Sequence, residues 1–493
     1  MLTAGVAYDS GTGRRILLAT VLGSSLVMLD ATVVNVALPA IGRDLGGGIG
    51  GLQWVVDGYL LTLAALILLG GSLGDRYGRR RIFVIGAVWF AVASLLCGLA
   101  PSLPLLIAAR ALQGVGGALL TPGSLALIEA SFVPQDRPRA VGAWSGLGGI
   151  ATAIGPFVGG WLVQSASWRL IFLLNLPLAV VVALISRRIP ESSDPNAARH
   201  LDVYGAGLAI VGLAGVTFAL IEAPERGATD PIVLIAALTG IAALIGFVLV
   251  EARSRMPMLP LAIFRSRQFT GANLVTLAVY GALGATFFLL VVFLQQGLGY
   301  SPIAAGAATL PTTLIMLLLS ARAGALAQRI GPRVPMTVGP LMAGLGIALL
   351  ARISVGSSYL LDVLPALLVF SLGLSLTVAP LTATVLGAAE DRYAGIASGV
   401  NNAVARTAGL IAVAALPPIA GLSGDAFSDP AALQAGFRMA MLLAAGLCVA
   451  GGVLAWLTIR NAVPVEAHYA CPLDAPPLRT LSSPPQARPA DGG

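Results

Sequence analysis

The chain contains no lysine; all 29 of its basic residues are arginine. A phosphate-loop lysine, a Schiff-base lysine and any lysine-linked cofactor are therefore excluded. Histidine is nearly absent: His200 and His468 are the only two, and both lie in polar connecting segments. Of the three cysteines, Cys97 and Cys448 sit in apolar runs and Cys471 in the C-terminal tail. That spacing supports neither a disulfide framework nor a zinc site, so no metal and no cofactor are expected. Charge is scarce as well, at 10% of 493 residues against about 25% in soluble domains. What remains is 57% hydrophobic residues with 60 glycines, and a mean hydropathy of +0.90. Such a composition excludes disorder, a collagen-like chain and a nucleic-acid-binding domain, despite a pI of 9.8. The bilayer is the solvent for most of this chain.

A membrane-crossing helix needs about 20 mostly apolar residues. Fourteen stretches qualify: 16–38, 52–73, 82–100, 103–127, 140–163, 170–186, 203–221, 231–250, 270–294, 303–327, 334–351, 360–386, 395–420 and 435–459. The first reads as a span rather than a cleaved leader, because it is long and carries Asp30. An even number of spans puts both ends on one side, and the arginines say which. Segments on the N-terminal side hold 21 arginines; the opposite loops hold four, Arg43, Arg169, Arg226 and Arg352. Cationic loops stay in the cytoplasm, so both termini are expected there, in a plasma (inner) membrane protein. The tail from Asn461 has seven prolines in 33 residues and little to bury, and is expected to be a disordered extension.

The chain also repeats itself. Gly71–Arg80 (GSLGDRYGRR) and Gly324–Arg333 (GALAQRIGPR) share five identities at an offset of 253. The same offset aligns Gly142, Ser145 and Gly146 with Gly395, Ser398 and Gly399. This predicts two six-helix bundles, 16–186 and 270–459, with two inserted helices at 203–250 joined by cytoplasmic linkers 187–202 and 251–269. Residues 1–15 and 460–493 flank them. Repeats of this kind are typical of secondary transporters, whose substrate site lies between the halves.

Gly70–Gly74 fits a GxSxG nucleophile pattern, but it sits at a membrane-helix end without a histidine partner, so the match is fortuitous. No catalytic constellation exists, and an enzyme is not expected. More specific is the loop after the second span, with Gly71, Leu73, Asp75, Arg76, Gly78, Arg79 and Arg80. Asp75 is expected where the next helix begins, a position whose dipole favours an anion. In this loop the chain resembles the major facilitator superfamily. Leu29–Pro39 (LDATVVNVALP), Arg110 with Gln113, Gly114 and Gly116, Gly155-Pro156 with Gly159-Gly160, and the stretch from Trp168 to Pro177 narrow the resemblance to its fourteen-helix drug:proton antiporter branch. The likeness runs over 14–460. Gln328 departs from it, standing where the second copy of the loop motif has an acid, and so does Ala151, where the fifth-helix motif commonly has glycine.

The resemblance implies an all-α integral membrane protein of the major facilitator fold. It implies an exporter of amphipathic small molecules of the multidrug efflux type, driven by protons, whose partners are its substrate, protons and membrane lipids. A single chain is the expected functional unit. A dedicated exporter of one endogenous metabolite is the alternative. A membrane sensor is disfavoured, because no large soluble domain is present.

From the residues themselves, Gly142, Gly146, Gly149, Ala153, Pro156 and Gly160 recur every three or four positions and give span 5 one smooth face for close helix packing. Charges within spans are costly and mark function by default. Asp30 lies about 21 Å along span 1, Asp57 about 8 Å below the outer end of span 2 and Arg110 about 10 Å below that of span 4. These three are expected to form a proton-coupling group, since a buried Asp beside an Arg keeps its charge until protonation or substrate disturbs the pair. Asn35, Gln113 and Arg406 are candidate cavity residues.

Overall fold

The computed structural model describes residues 5–194, 201–254, 257–388, 394–424 and 429–461. Apart from one isolated bridge between Val6 and Phe132, every regular element among them is helical. The α-helices run in chain order α1 Gly11–Leu45, α2 Ile49–Tyr77, α3 Arg79–Leu99, α4 Leu103–Ser131, α5 Arg137–Ser165, α6 Leu170–Leu173, α7 Asn175–Ser186, α8 Val203–Arg226 and α9 Pro231–Arg253. They continue as α10 Arg267–Gln296, α11 Pro302–Ala308, α12 Leu310–Ile330, α13 Arg333–Leu350, α14 Leu364–Gly387, α15 Ala394–Ile419 and α16 Pro430–Thr458. Thirteen stretches are long and apolar enough to cross a bilayer, one of them α11 and α12 joined, and the shorter Leu170–Ser186 stands where the sixth span is expected. That span is broken at Leu174, because Pro177 has no N–H to give the carbonyl of Leu173. The tail expected to be disordered lies outside the described residues from 462 onward, as do His200 and Arg392.

In the first half α1 packs on α4, α5 and α7, while α4 packs on α2 and α3. In the second half α10 packs on α15 and α16, and α14 on α12 and α13. The halves meet along two seams, α2 against α15 and α5 against α11–α12. At the offset of 253, α2 corresponds to α11–α12 and α5 to α15. Each half therefore offers the same two elements to the other, which is the pseudo-twofold arrangement the repeat predicts. The inserted α8 and α9 pack on each other, and α8 lies over the α2–α15 seam.

The arginine-poor ends of these seams are closed. Gln53 donates its amide to the carbonyls of Val413 and Ala414 at 2.6 and 3.1 Å, and between the seams Gln295 of α10 donates to Val36 of α1 at 2.9 Å. Gly160 leaves no room for a side chain, since a Cβ there would lie 2.5 Å from the carbonyl oxygen of Pro302; Gly306 fits as closely against Pro156. Toward the arginine-rich end of α5 the packing is absent: nothing lies within 4 Å of a Cβ at Gly142 or Gly146, and Gly149 meets only Leu317, at 3.9 Å. Along α5 the seam is shut on one face of the membrane and parted on the other.

Candidate functional site

Inside the first half, α1, α3, α4 and α7 converge on a single buried carboxylate. Asp30 is 3% exposed and Arg110, the bulkiest fully buried side chain, 1%. The two form a direct ion pair. Arg110 and Gln113 are three residues apart and so share a face of α4. The Arg110 guanidinium donates to Gln113 Oε1 at 2.6 Å, and Gln113 Nε2 donates to Asp30 Oδ1 at 2.8 Å and to Ser94 Oγ at 2.9 Å. Asn175, turned inward just past the break in the sixth span, donates to Ser94 at 3.3 Å and to Asp30 at 3.5 Å. Arg110 Nε donates to the carbonyl of Val55 at 3.0 Å, and the guanidinium stacks 4.3 Å from the centre of the Tyr59 ring. Arg110, Gln113 and Asn175 thus all donate to Asp30, and the cation is held by Asp30, Gln113, the Val55 carbonyl and the Tyr59 ring. Removing either charge strands the other in a dry site.

The expected pairing of Asp30 with Arg110 is present, but two neighbours differ from expectation. Gln113 does not face a cavity: it is fully buried and is the middle member of the network. Asp57 matches Asp30 in depth but not in face. It is fully buried, both its oxygens lack partners, and no hydrogen bond or ion pair joins it to Asp30 or Arg110 among the described residues. One turn before it, Gln53 donates to Val413 of α15 and Trp54 to Glu222 of α8 at 3.1 Å, so this side of α2 faces the second half and the inserted pair rather than α4. Distance along a helix gave Asp57 its depth; only packing could give its direction. Asn35 is half-buried, with a weak 3.5 Å bond back to Ala31. Arg406 is half-buried on α15, and its Nε has no partner. The Tyr59 ring lies against Arg110, and its hydroxyl is buried without a hydrogen-bond partner.

Ser94, Asn175 and Tyr59 are the members that the sequence did not assign to the site. Asn175 carried a signal, being a lone amide in the apolar run Ile171–Val180.

The loop motif is built differently from expectation. Asp75 belongs to the last turn of α2, not to the start of α3, and its carboxylate pairs with Arg79 at 2.7 Å. The anion at the start of α3 is Glu191, which accepts from the backbone N–H groups of Arg80 and Arg81 at 2.9 and 3.1 Å. Arg80 reaches the carbonyl of Ile189 at 2.8 Å, and Asp194 N donates to the carbonyl of Asp75 at 2.9 Å. Gly78 makes this turn with φ +106°, and Gly331 makes its mate with φ +85°. An L side chain rarely adopts either angle, so glycine at both positions is a backbone requirement. Arg76 lies over the Tyr77 ring at 5.0 Å. Leu73 is half-buried, and the nearest neighbour of a Cβ at Gly71 would be Pro122, at 3.6 Å. In the second copy Gln328 and Pro332 stand where Asp75 and Arg79 pair, and Arg333, the counterpart of Arg80, donates to the carbonyl of Trp456 at 3.1 Å and covers its ring at 4.0 Å.

Span 5 divides its small residues between partners. Gly155 and Gly159 pack on Thr32 and Val33 of α1, while Pro156 and Gly160 face α11. Gly142, Gly146 and Gly149 border the open end described above.

Known proteins place this architecture. The chain is 38% identical to a multidrug resistance protein, Stp, of Mycobacterium tuberculosis, over 78% of this chain and 72% of that one. It is 34% identical to a methylenomycin A resistance protein of Bacillus subtilis, over 91% and 95%. It is also 34% identical to a tetracenomycin C resistance and export protein of Streptomyces glaucescens, over 86% and 80%. Among solved structures, a peptide transporter, POT, in complex with sulfate superimposes with a TM-score of 0.66 at 15% identity, covering 92% of this chain and 96% of that one. A D-xylose–proton symporter gives 0.64 at 15%, covering 91% and 98%. The sequence pattern of the Major Facilitator Superfamily matches residues 20–414. With that match, the repeat, the two seams and the helical inventory, this chain belongs to the Major Facilitator Superfamily of multi-pass membrane transporters.

Proposed function

We propose that the chain is a proton-driven exporter of amphipathic organic compounds in the plasma membrane, with both termini in the cytoplasm. The orientation rests on the 21-to-4 division of arginines. The export reading draws on relatives named for multidrug and antibiotic resistance. The observation that carries proton coupling is the Asp30–Arg110–Gln113 network, buried within one bundle while the seam is shut outside and parted inside.

In this arrangement substrate enters from the cytoplasmic side while Asp30 is neutralised by Arg110. The bundles 16–186 and 270–459 then rock about the α2–α15 and α5–α11/α12 seams, and the inserted pair 203–250 rides on the first of these. Opening outward loosens the Arg110 contact and lets a proton reach Asp30, and its release inside resets the cycle. Asp75, Arg79 and Glu191 latch the cytoplasmic ends of α2 and α3 to the segment after span 6. Asn35 and Arg406 are the half-buried polar groups placed to meet a substrate.

Names such as that of the tetracenomycin C resistance and export protein favour a second reading, a dedicated exporter of one endogenous product. Accumulation of cationic dyes and antibiotics in a deletion strain tests both. A broad rise in accumulation supports the first reading. Retention of one endogenous compound, with dyes unaffected, supports the second, and no change in either defeats export.

A further inference from the structure

The inserted helices line a cavity separate from the buried pair. It has a volume of about 430 Å³ and lies between α8–α9 and the two halves. Its walls include Leu68 of α2, Ala209 of α8, Phe247 of α9, Leu274 of α10 and Val404 of α15, and Leu259 closes it from the segment joining α9 to α10. The volume is that of a small-molecule site, for which about 300–1,000 Å³ is usual.

Depth identifies the surrounding medium. The lining of α10 runs from Thr270 to Leu277, within about 5–15 Å of the helix start at Arg267. Half of a hydrocarbon core is about 15 Å thick, so the cavity lies at acyl-chain depth in the arginine-rich leaflet. The walls offer little to orient a polar ligand. Thr270 already donates to the carbonyl of Phe264 at 2.6 Å, and Asn273 is committed to Phe269 and Asn401 at 2.9 and 3.2 Å. At the cytoplasmic end the chemistry reverses: Arg253 and Arg265 are exposed at the two ends of the segment that supplies Leu259 and Phe264, while Arg267 donates to the carbonyl of Leu457 at 3.0 Å. That segment is pinned by Glu251, a 2% exposed residue whose Oε2 accepts from Leu259 N at 3.1 Å.

We infer that this cavity is a binding site for an anionic phospholipid of the cytoplasmic leaflet, with an acyl chain between the inserted pair and the halves and the headgroup on Arg253 and Arg265. Cationic clusters just cytoplasmic of a span attract anionic lipid, and the apolar walls take the chain. The occupant touches α2 from one half and α10 and α15 from the other. It therefore binds this arrangement of the halves in preference to one in which they have moved apart, and biases the transport cycle.

The test uses the full chain purified in detergent, with a Phe247→Trp reporter read as the difference from the parent protein. Phosphatidylglycerol with brominated acyl chains should quench the reporter with saturation near one equivalent, and brominated phosphatidylcholine should need at least several-fold more. A Leu238→Trp reporter, on the outer surface of α9 at 67% exposure, should show only gradual, unsaturated quenching. Ala209→Phe, or the milder Ala403→Leu, should remove the saturable phase, since both positions line the cavity. Identical curves for the two reporters would reduce the site to ordinary boundary lipid and overturn the inference. A saturable phase that survives both filling substitutions, or that treats the two headgroups alike, would overturn it as well.

Discussion

Asp30 and Arg110 are best understood as one unit with Gln113 between them. In a dry bundle, breaking such a pair costs about 3–5 kcal/mol, mostly from the charge left behind. Arg110→Ala should therefore lower the thermal unfolding midpoint sharply in detergent. Adding Asp30→Asn to it should recover about 1–3 kcal/mol, because no carboxylate is then stranded. If the double variant is no more stable than Arg110→Ala, the pair is not the electrostatic unit described. The reach of the sequence at this scale was uneven for a physical reason. Asp30 and Arg110 could be matched because helical rise fixes depth, and depth was enough. Asp57 has a comparable depth, yet the face it presents depends on how α2 rolls against α15 and α8, which no local pattern encodes. Gln113, a candidate cavity residue from the sequence, is bonded to Arg110, Asp30 and Ser94 instead.

At the scale of elements, the turn between α2 and α3 joins three segments rather than two. The glycine at 78 and the offset to Gly331 were readable, since φ > 0 leaves glycine as the ready choice. The partner was not readable, because Glu191 lies more than a hundred residues along the chain in an unremarkable linker. Its carboxylate meets the free N–H groups and positive dipole end of α3, a contribution of about 1 kcal/mol. Glu191→Ala and Asp75→Asn should each reduce transport severalfold at matched expression, whereas Gln328→Ala should leave most of it. Equal losses at Asp75 and Gln328 would mean that the two copies work alike despite their chemistry.

Span 5 allows a second test at the same scale. Gly306 and Pro156 touch where the outer seam closes, so Gly306→Val should hold that seam open. A cysteine placed at Asn35 should then be labelled faster from outside than in the parent. Unchanged labelling would separate the small-residue face from gating.

For the whole molecule, the fold was legible because three independent patterns agreed: apolar length, arginine alternation and the offset of 253. What the sequence left open was the state of the seams, since both ends of α5 carry glycines and only packing distinguishes them. Reporter fusions after Asp230 and after Arg460 should fall on opposite sides of the membrane, and the same side for both would remove the fourteen-span topology.

The most direct measurement of the central claim is dye transport in proteoliposomes with an imposed pH gradient, comparing the parent with Asp30→Asn. Asparagine keeps the shape of a protonated Asp30 and cannot exchange a proton. The account predicts that the variant still equilibrates dye passively but no longer concentrates it against its gradient. Uphill transport by Asp30→Asn at near-parent rates would contradict it, leaving the buried pair a structural feature and the coupling proton on another path.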